Sequence, residues 1–257
     1  MNKVVVIIQA RMGSTRLPGK VLKDISGKPM LWHVIDRVMK SKKTDLIVVA
    51  TSTNDEEHPI LELSKDIGVE VFCGNERDVL DRYYKASVKF RADIIVRVTS
   101  DCPIVDPDII DMFVEYYLNN RSNYDYLGVG KHSLYPNGVG CEVFSFEALK
   151  RAWSESKWLS EREHVTPYIW KNDKIFKIGR PLKPKKDLSK LRWTVDEKRD
   201  LKFVREIYKE LYNENNFFST RDVLELLERK PKLNMINNDI TRNEGYITSL
   251  KEDKIIK

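Results

Sequence analysis

Nowhere in these 257 residues does an apolar run approach the roughly 18 residues of a membrane span. The chain enters a strand-like pattern at Val4, without a charged n-region, an apolar h-region or a small-residue cleavage site. A cytoplasmic protein without a membrane partner is expected. Cysteine is scarce: Cys73, Cys102 and Cys141 lie far apart with no metal-type spacing, and an odd count in an unsecreted chain argues against a disulfide framework. They read as reduced packing residues. A strong excess of either charge is missing as well. Lys plus Arg exceed Asp plus Glu by 45 to 39, a formal +6, and the excess is spread along the chain apart from Lys183, Lys185 and Lys186. That balance suits phosphorylated small molecules as well as nucleic acid. Internal repeats and low-complexity tracts are absent, and 41% hydrophobic with 33% charged residues describes a globular chain with one elaborated domain.

What is present is an alternation of β-branched runs with amphipathic segments over the first 130 residues, the pattern of successive βα units on a parallel sheet. Strands are expected at 4–8, 46–51, 69–73 and 94–98. Their nearly continuous apolar character fits strands covered on both faces. Met30, Leu31, Val34, Ile35 and Val38 fall at helical spacing, as do Ile60, Leu63 and Ile67. A third helix is expected from Asp78 to Phe90, and a fourth after Asp106-Pro107, where Asp caps and Pro takes the first turn. Beyond Tyr124, "YDYLGVG" and "CEVFSF" read as short strands, and "SEREHVTPYIWKN" as a helix opened by Ser160 with Glu163 at the capping-box position. A strand "LRWTV" (191–195) and helices near 198–212 and 220–229 follow. From Pro231 the chain is polar and weakly periodic, which reads as a mobile tail or a partner-docking arm.

The stretch "QARMGSTRLPGK" (9–20) follows the first strand, where open α/β sheets bind ligands. It carries Arg11, Arg16 and Lys20 and no acidic residue. Gly13 and Gly19 allow close backbone approach, and Ser14 and Thr15 add donors, so the loop reads as a cradle for several phosphates. It is not a P-loop. Five residues rather than four separate Gly13 from Gly19, and Val21 stands where a magnesium-holding Ser or Thr would follow Lys20. The G-x-G-x-x-G fingerprint is missing too, which argues against a nicotinamide cofactor.

"QARMGSTRLPGKVL" resembles the N-terminal motif of the cytidylyltransferases that activate acidic sugars, the CMP-sialate and CMP-KDO synthetase superfamily, most closely its SpsF-like branch. "EVFCGNERDVLDRYY", "RVTSDCPIVDP", "YPNGVGCEVFSFEAL", "EREHVTPYIW" and "RWTVDEKRDL" continue the likeness in the family's order, over about residues 1–210. The resemblance implies an α/β fold, a Rossmann-like three-layer αβα nucleotidyltransferase with a mainly parallel mixed sheet. It also implies a cytidylyltransferase domain over 1–230, with an acceptor and dimerisation region at about 130–172 and a tail at 231–257. The activity implied is transfer of CMP from CTP to an acidic sugar, nonulosonate or KDO-like, or a related surface-glycan precursor, by a homodimer that binds no nucleic acid.

The cradle cannot by itself neutralise an α-phosphate under attack, and Mg²⁺ on carboxylates can. Asp101 follows the fourth strand on the loop's side of the sheet and Asp196 follows "LRWTV". In the resembled family an aspartate in each of these two motifs binds the metal. Arg11, Lys20 and Asp101 are the expected catalytic residues. Gln9, Ala10, Arg11, Gly13, Ser14, Arg16, Lys20, Arg77, Thr99 and Ser100 are expected to bind nucleotide. Glu142, Glu163, His164 and Arg192 are expected on the acceptor side, with His164 as a possible base since an unperturbed imidazole titrates near 6.5. Asp200 would assist through water or favour the helix start. The I-D-x-D arrangement of sialate synthetases is absent, "TVDEKRD" standing in its place, which speaks against sialic acid itself. Two other readings remain. A nucleotide-sugar glycosyltransferase would need a D-x-D metal motif, for which Asp106-Pro107-Asp108 is the sole match. A non-catalytic nucleotide or RNA binder would use the basic surface.

Overall fold

The computed structural model describes residues 2–128, 134–179, 184, 186–213 and 217–256. Lys183 and Lys185 of the basic cluster lie outside the described residues. Strand β1 (Val4–Gln9) is followed by a hairpin of β2 (Asp24–Ile25) and β3 (Lys28–Pro29), then by β4 (Leu46–Ser52), β5 (Glu70–Gly74) and β6 (Ile94–Thr99). Three shorter strands, β7 (Tyr126–Gly128), β8 (Glu142–Ser145) and β9 (Ile178–Gly179), complete a sheet whose described strands run β5-β4-β1-β6-β8-β7-β9. Every pairing in it is parallel except those of β8, which opposes both β6 and β7. The expected α/β class with a mainly parallel mixed sheet is what the chain adopts.

The alternation of the pleat explains the continuous apolar runs. Val4, Val6 and Ile8 pack under α1 (Met30–Val38), α2 (His58–Ile67), the later helices α4 (Pro107–Asn119), α8 (Lys198–Leu211) and α9 (Thr220–Arg229). Val5 and Ile7 face the other way, toward α3 (Val79–Phe90), α5 (Phe146–Glu155) and α7 (Pro167–Lys171). Between α5 and α7 lies the short α6 (Leu159–His164), and α10 (Glu244–Lys251) ends the helical series. Asp78 and Asp106 cap α3 and α4 as their sequence positions suggest, accepting from Asp81 N (2.9 Å) and Asp108 N (3.0 Å).

β1 lies between β4 and β6, and the chain winds outward from it in both directions. Gln9, its last residue, pairs with Ala50 on one side and Thr99 on the other. That reversal opens a crevice at the carboxyl ends of β1 and β6, the place where doubly wound sheets take ligands. None of the helices among the described residues is long and apolar enough to cross a membrane.

Four local expectations are corrected. Residues 191–195 form no strand, because their backbone bonds go to scattered partners rather than to one neighbouring strand: Leu191 N to Leu188 O (3.0 Å), Leu191 O from Asn137 N (2.9 Å), Trp193 N to Asn137 O (2.7 Å) and Val195 N to Asp101 O (2.7 Å). Ser160 does not cap α6. Trp158 does, and the Ser160 hydroxyl instead donates to Asp253 Oδ2 (2.8 Å). Cys102 and Cys141 are buried packing residues, but Cys73 is exposed on the edge strand β5. The segment from Pro231 is not a mobile tail: a 3₁₀ stretch (Pro231–Ile236) and α10 lead it back across the crevice, with Leu233 and Ile236 against the core and Asn237 buried.

Candidate active site

The loop after β1 is held from below. Buried Leu17 and Val21 anchor it apolarly. Glu57, 1% exposed, accepts from Met12 N (3.0 Å), Thr51 Oγ1 (3.0 Å) and Ser52 Oγ (2.9 Å). A buried carboxylate with three donors fixes the backbone amides that follow Met12. The Met12 carbonyl then accepts from Ser14 N (2.9 Å) and Gly19 N (3.2 Å), which closes the loop on itself. Gly19 takes the left-handed conformation (φ 63°) that lets the chain enter the 3₁₀ turn carrying Lys20. Glu57 is not apparent in the sequence, because an acid in "NDEEH" gives no sign of burial.

Lys20 is where distant parts of the chain meet. Its ammonium donates to Val195 O (2.8 Å), Asp196 Oδ1 (3.0 Å) and Asp101 Oδ2 (3.3 Å). Burial alone would lower its pKa, but the charges and hydrogen bonds of Asp101 and Asp196 outweigh that and hold it above the ordinary lysine value. Burial would likewise raise the Asp101 pKa. The Lys20 charge and the hydrogen bonds from Thr99, Cys102 and Lys20 win, and the carboxyl stays below its ordinary value. Thr99 Oγ1 donates to Asp101 Oδ1 at 2.5 Å, Ser100 N extends the β1–β6 pairing to Gln9 O, and Val195 N donates to Asp101 O at 2.7 Å. The turn after β6 is thereby stitched to the segment that presents Asp196.

Asp196 is oriented from behind by Arg192, whose Nη2 lies 3.0 Å from its Oδ2. Arg192 is held bidentately by Asp200 through Nε (2.9 Å) and Nη2 (3.0 Å), and Asp200 also takes Asn237 Nδ2 (2.9 Å) and the amides of Asp196 and Glu197 (3.0 Å each). Glu197, not Asp196, is the N-cap of α8, with Asp200 closing the capping box. Arg192 is thus a support of Asp196, and Asp200 acts through direct bonds.

The loop at 134–140 reaches this segment only because residue 138 is glycine. Gly138 has φ 106°, and a Cβ there would stand 2.7 Å from Thr194 N and 2.8 Å from the Trp193 carbonyl carbon. Gly138→Ala is therefore expected to cost about 1–3 kcal/mol through backbone strain alone. A thermal melt that matches wild type would contradict this.

On the acceptor side, Glu142 is 8% exposed and already engaged: Arg97 Nη1 donates to it at 2.5 Å, Thr166 Oγ1 at 2.8 Å, and Tyr126 OH closes the group. Arg97 Nε reaches Gln9 Oε1 (3.2 Å), so Gln9, Arg97, Thr99 and Glu142 form one continuous floor beside Asp101. Burial would lower the Arg97 pKa, but Glu142 raises it well above the ordinary value. Arg97 was missed from sequence although a lone cation in the apolar run "IIVRVT" is a signal. His164 Nε2 lies 2.9 Å from Ser249 Oγ, whose hydroxyl donates to Glu163 Oε2 (2.8 Å). Burial pulls the His164 pKa down to about 4, so the imidazole is neutral near pH 7 and a weak base.

Arg11 Nη1 lies 3.9 Å from Glu76, which places the turn at 74–78 beside the loop. Arg77 on that turn is exposed, its amide donating to Asn75 Oδ1 (2.9 Å). Ala10 N continues the sheet ladder to Ala50 O (3.1 Å). The D-x-D match is otherwise employed: Asp106, 2% exposed, caps α4 and accepts from Thr220 N (2.7 Å). That removes the motif a glycosyltransferase reading needs.

Comparison with known proteins agrees with this geometry. The sequence model of a family described as cytidylyltransferase matches residues 5–239. The chain is 40% identical over 246 residues to the uncharacterized protein MJ1063 of Methanocaldococcus jannaschii, covering 95% of this chain and 98% of that one. It is 32% identical over 238 residues to the spore coat polysaccharide biosynthesis protein SpsF of Bacillus subtilis, covering 90% and 96%. A 3-deoxy-manno-octulosonate cytidylyltransferase of Trichlorobacter lovleyi is 36% identical over 120 residues, 46% of each chain. Among solved structures, a cytidylyltransferase from Leptospira borgpetersenii superposes with a TM-score of 0.88 at 32% identity, covering 94% of this chain and 100% of that one.

Proposed function

This chain belongs to the cytidylyltransferase family, and from that premise we propose that it moves CMP from CTP to an acidic sugar or related surface-glycan precursor with release of pyrophosphate. CTP-dependent nucleotidyl transfer comes with the family; the acceptor class is our reading. The observation that carries it is the convergence of Lys20, Asp101 and Asp196 at the crevice between β1 and β6, next to the cationic loop.

In this reading Arg11, Arg16 and Lys20 receive the triphosphate, on a loop that Glu57 anchors at the Met12 amide. Cations fixed in advance gather the charge that develops on departing pyrophosphate, a role that needs no covalent intermediate. Gln9, Arg97, Thr99 and Glu142 give the acceptor a rigid polar floor, which holds its attacking oxygen in line with the α-phosphorus. Neutral His164 serves as a hydrogen-bonding group on that side rather than as a strong base.

The residues also fit magnesium. Asp101 Oδ2 and Asp196 Oδ1 approach the same cation, the Lys20 ammonium, at 3.3 and 3.0 Å. One or two carboxylates together with substrate phosphates are the donors this ion takes. No cluster of three or more metal-ligating side chains occurs among the described residues. Magnesium held by Asp101 and Asp196 would supply Lewis-acid neutralisation of the α-phosphate.

A pyrophosphate-release screen of the four nucleoside triphosphates with magnesium, against acidic sugars and phosphorylated acceptors, tests the reading. Release is expected with CTP and an acidic sugar. Preference for UTP or ATP, or turnover with phosphorylated acceptors only, would overturn it.

A further inference from the structure

The family match ends at residue 239, and the chain beyond it crosses the site as a strap. Thr241 O accepts from Arg192 Nη1 (3.3 Å), Glu244 Oε2 takes Arg16 Nη1 (2.7 Å), Ser249 Oγ meets His164 and Glu163, and Asp253 takes Ser160 N (2.9 Å). A single short segment thus touches the phosphate cradle and the acceptor side. Arg16 is the point of conflict. Its other terminal nitrogen, Nη2, lies 3.1 Å from Asp196 Oδ1, so both of its ends face carboxylates of this chain.

We propose that the strap is an autoinhibitory latch in which Glu244 competes with a nucleotide phosphate for Arg16, so that triphosphate binding frees the first turn of α10. The latch rests on the cradle reading given under Proposed function. Glu244 and Arg16 have side chains 46% and 35% exposed, and an ion pair so accessible to water is weak. A triphosphate offers Arg16 a multiply charged, forked acceptor, which a guanidinium binds more strongly. Displacement is therefore downhill at the arginine. The strap end is also easy to release: α10 has no buried residue, and Asn243 before it adopts the left-handed conformation (φ 57°) without a side-chain capping bond. Its far end is better fixed, by Asp253 on Ser160 and by the bridge between Trp158 and Ile255. The latch opens at Glu244 and pivots on that anchor.

Titration calorimetry of the protein with CTP and magnesium, without acceptor, compares wild type, E244Q and R16A. E244Q is expected to bind CTP about two- to fivefold more tightly, the equilibrium factor an exposed pair is worth. In wild type, amide exchange over residues 243–247 should become faster when CTP is added. Unchanged or weaker CTP binding by E244Q, or exchange that does not respond, overturns the latch. R16A separates the two levels. If R16A weakens CTP binding while E244Q does not strengthen it, the latch alone fails; if R16A binds CTP as wild type does, Arg16 leaves the cradle and the latch falls with it.

Discussion

Asp101→Asn is expected to release pyrophosphate about 10²–10³-fold more slowly than wild type, the loss that follows removal of one preorganised charge at a reacting phosphate. Asparagine keeps the shape and an oxygen for the Thr99 hydroxyl, and Lys20 retains Asp196 and Val195 O. The fold should therefore survive, and a melting curve should move by only a few degrees. What disappears is one of the two negative charges that converge on the Lys20 position. Steady-state pyrophosphate release with CTP, magnesium and a saturating acceptor, run beside calorimetry on the same preparation, reads both quantities. Wild-type turnover by this variant would remove Asp101 from the chemistry. A matching collapse of stability would make its role structural.

Asp200→Ala should act on the other quantity, costing about 3 kcal/mol of stability because a buried guanidinium loses its bidentate partner and keeps only Asp196. Asp200 is 0% and Arg192 5% exposed, so little water reaches the charge left behind. The amides of Asp196 and Glu197 and the Asn237 side chain lose their acceptor in the same step. For a chain of this length the melting midpoint should fall by roughly 10 °C, which scanning calorimetry resolves directly. A shift under a degree or two would mean that the network relaxes around the gap. The pH dependence has a definite sign. Burial alone would raise the Asp200 pKa, but its bonds from Arg192, Asn237 and Asp196 N hold it below the ordinary carboxylate value. Its contribution is therefore present above the unfolded pKa of about 4 and lost as pH falls through the folded value. The alanine variant should lack that acid sensitivity.

Much of the first half was legible because its signals are local. Continuous β-branched runs became the four parallel strands, and Asp78 and Asp106 became caps, since a cap depends only on neighbours two or three residues away. The loop at 9–20 could be told from a P-loop by spacing alone. Where the reading failed, the deciding partner was remote. "LRWTV" has strand composition, yet Asn137 beside it decides its pairing. Ser160 has capping chemistry, yet Asp253 claims its hydroxyl. The segment after Pro231 shows little periodicity because polar bonds given by Asn237 and Arg242 and accepted by Glu244 fasten it more than an apolar stripe does.

Successive βα units on a parallel sheet, a cationic loop after the first strand, and the two aspartates as candidates are legible in the sequence, because periodicity, turn chemistry and charge are written in short stretches. The folded chain adds that Lys20 stands between Asp101 and Asp196, that Arg192 supports Asp196, that burial lowers the His164 pKa, and that Glu244 pairs with Arg16. The contacts of Lys20 and of Glu244 are pairings across 81 to 228 positions of chain. Electrostatics and hydrogen bonding act over a few ångströms of space, and no spacing along the sequence encodes which remote groups the fold brings within that reach.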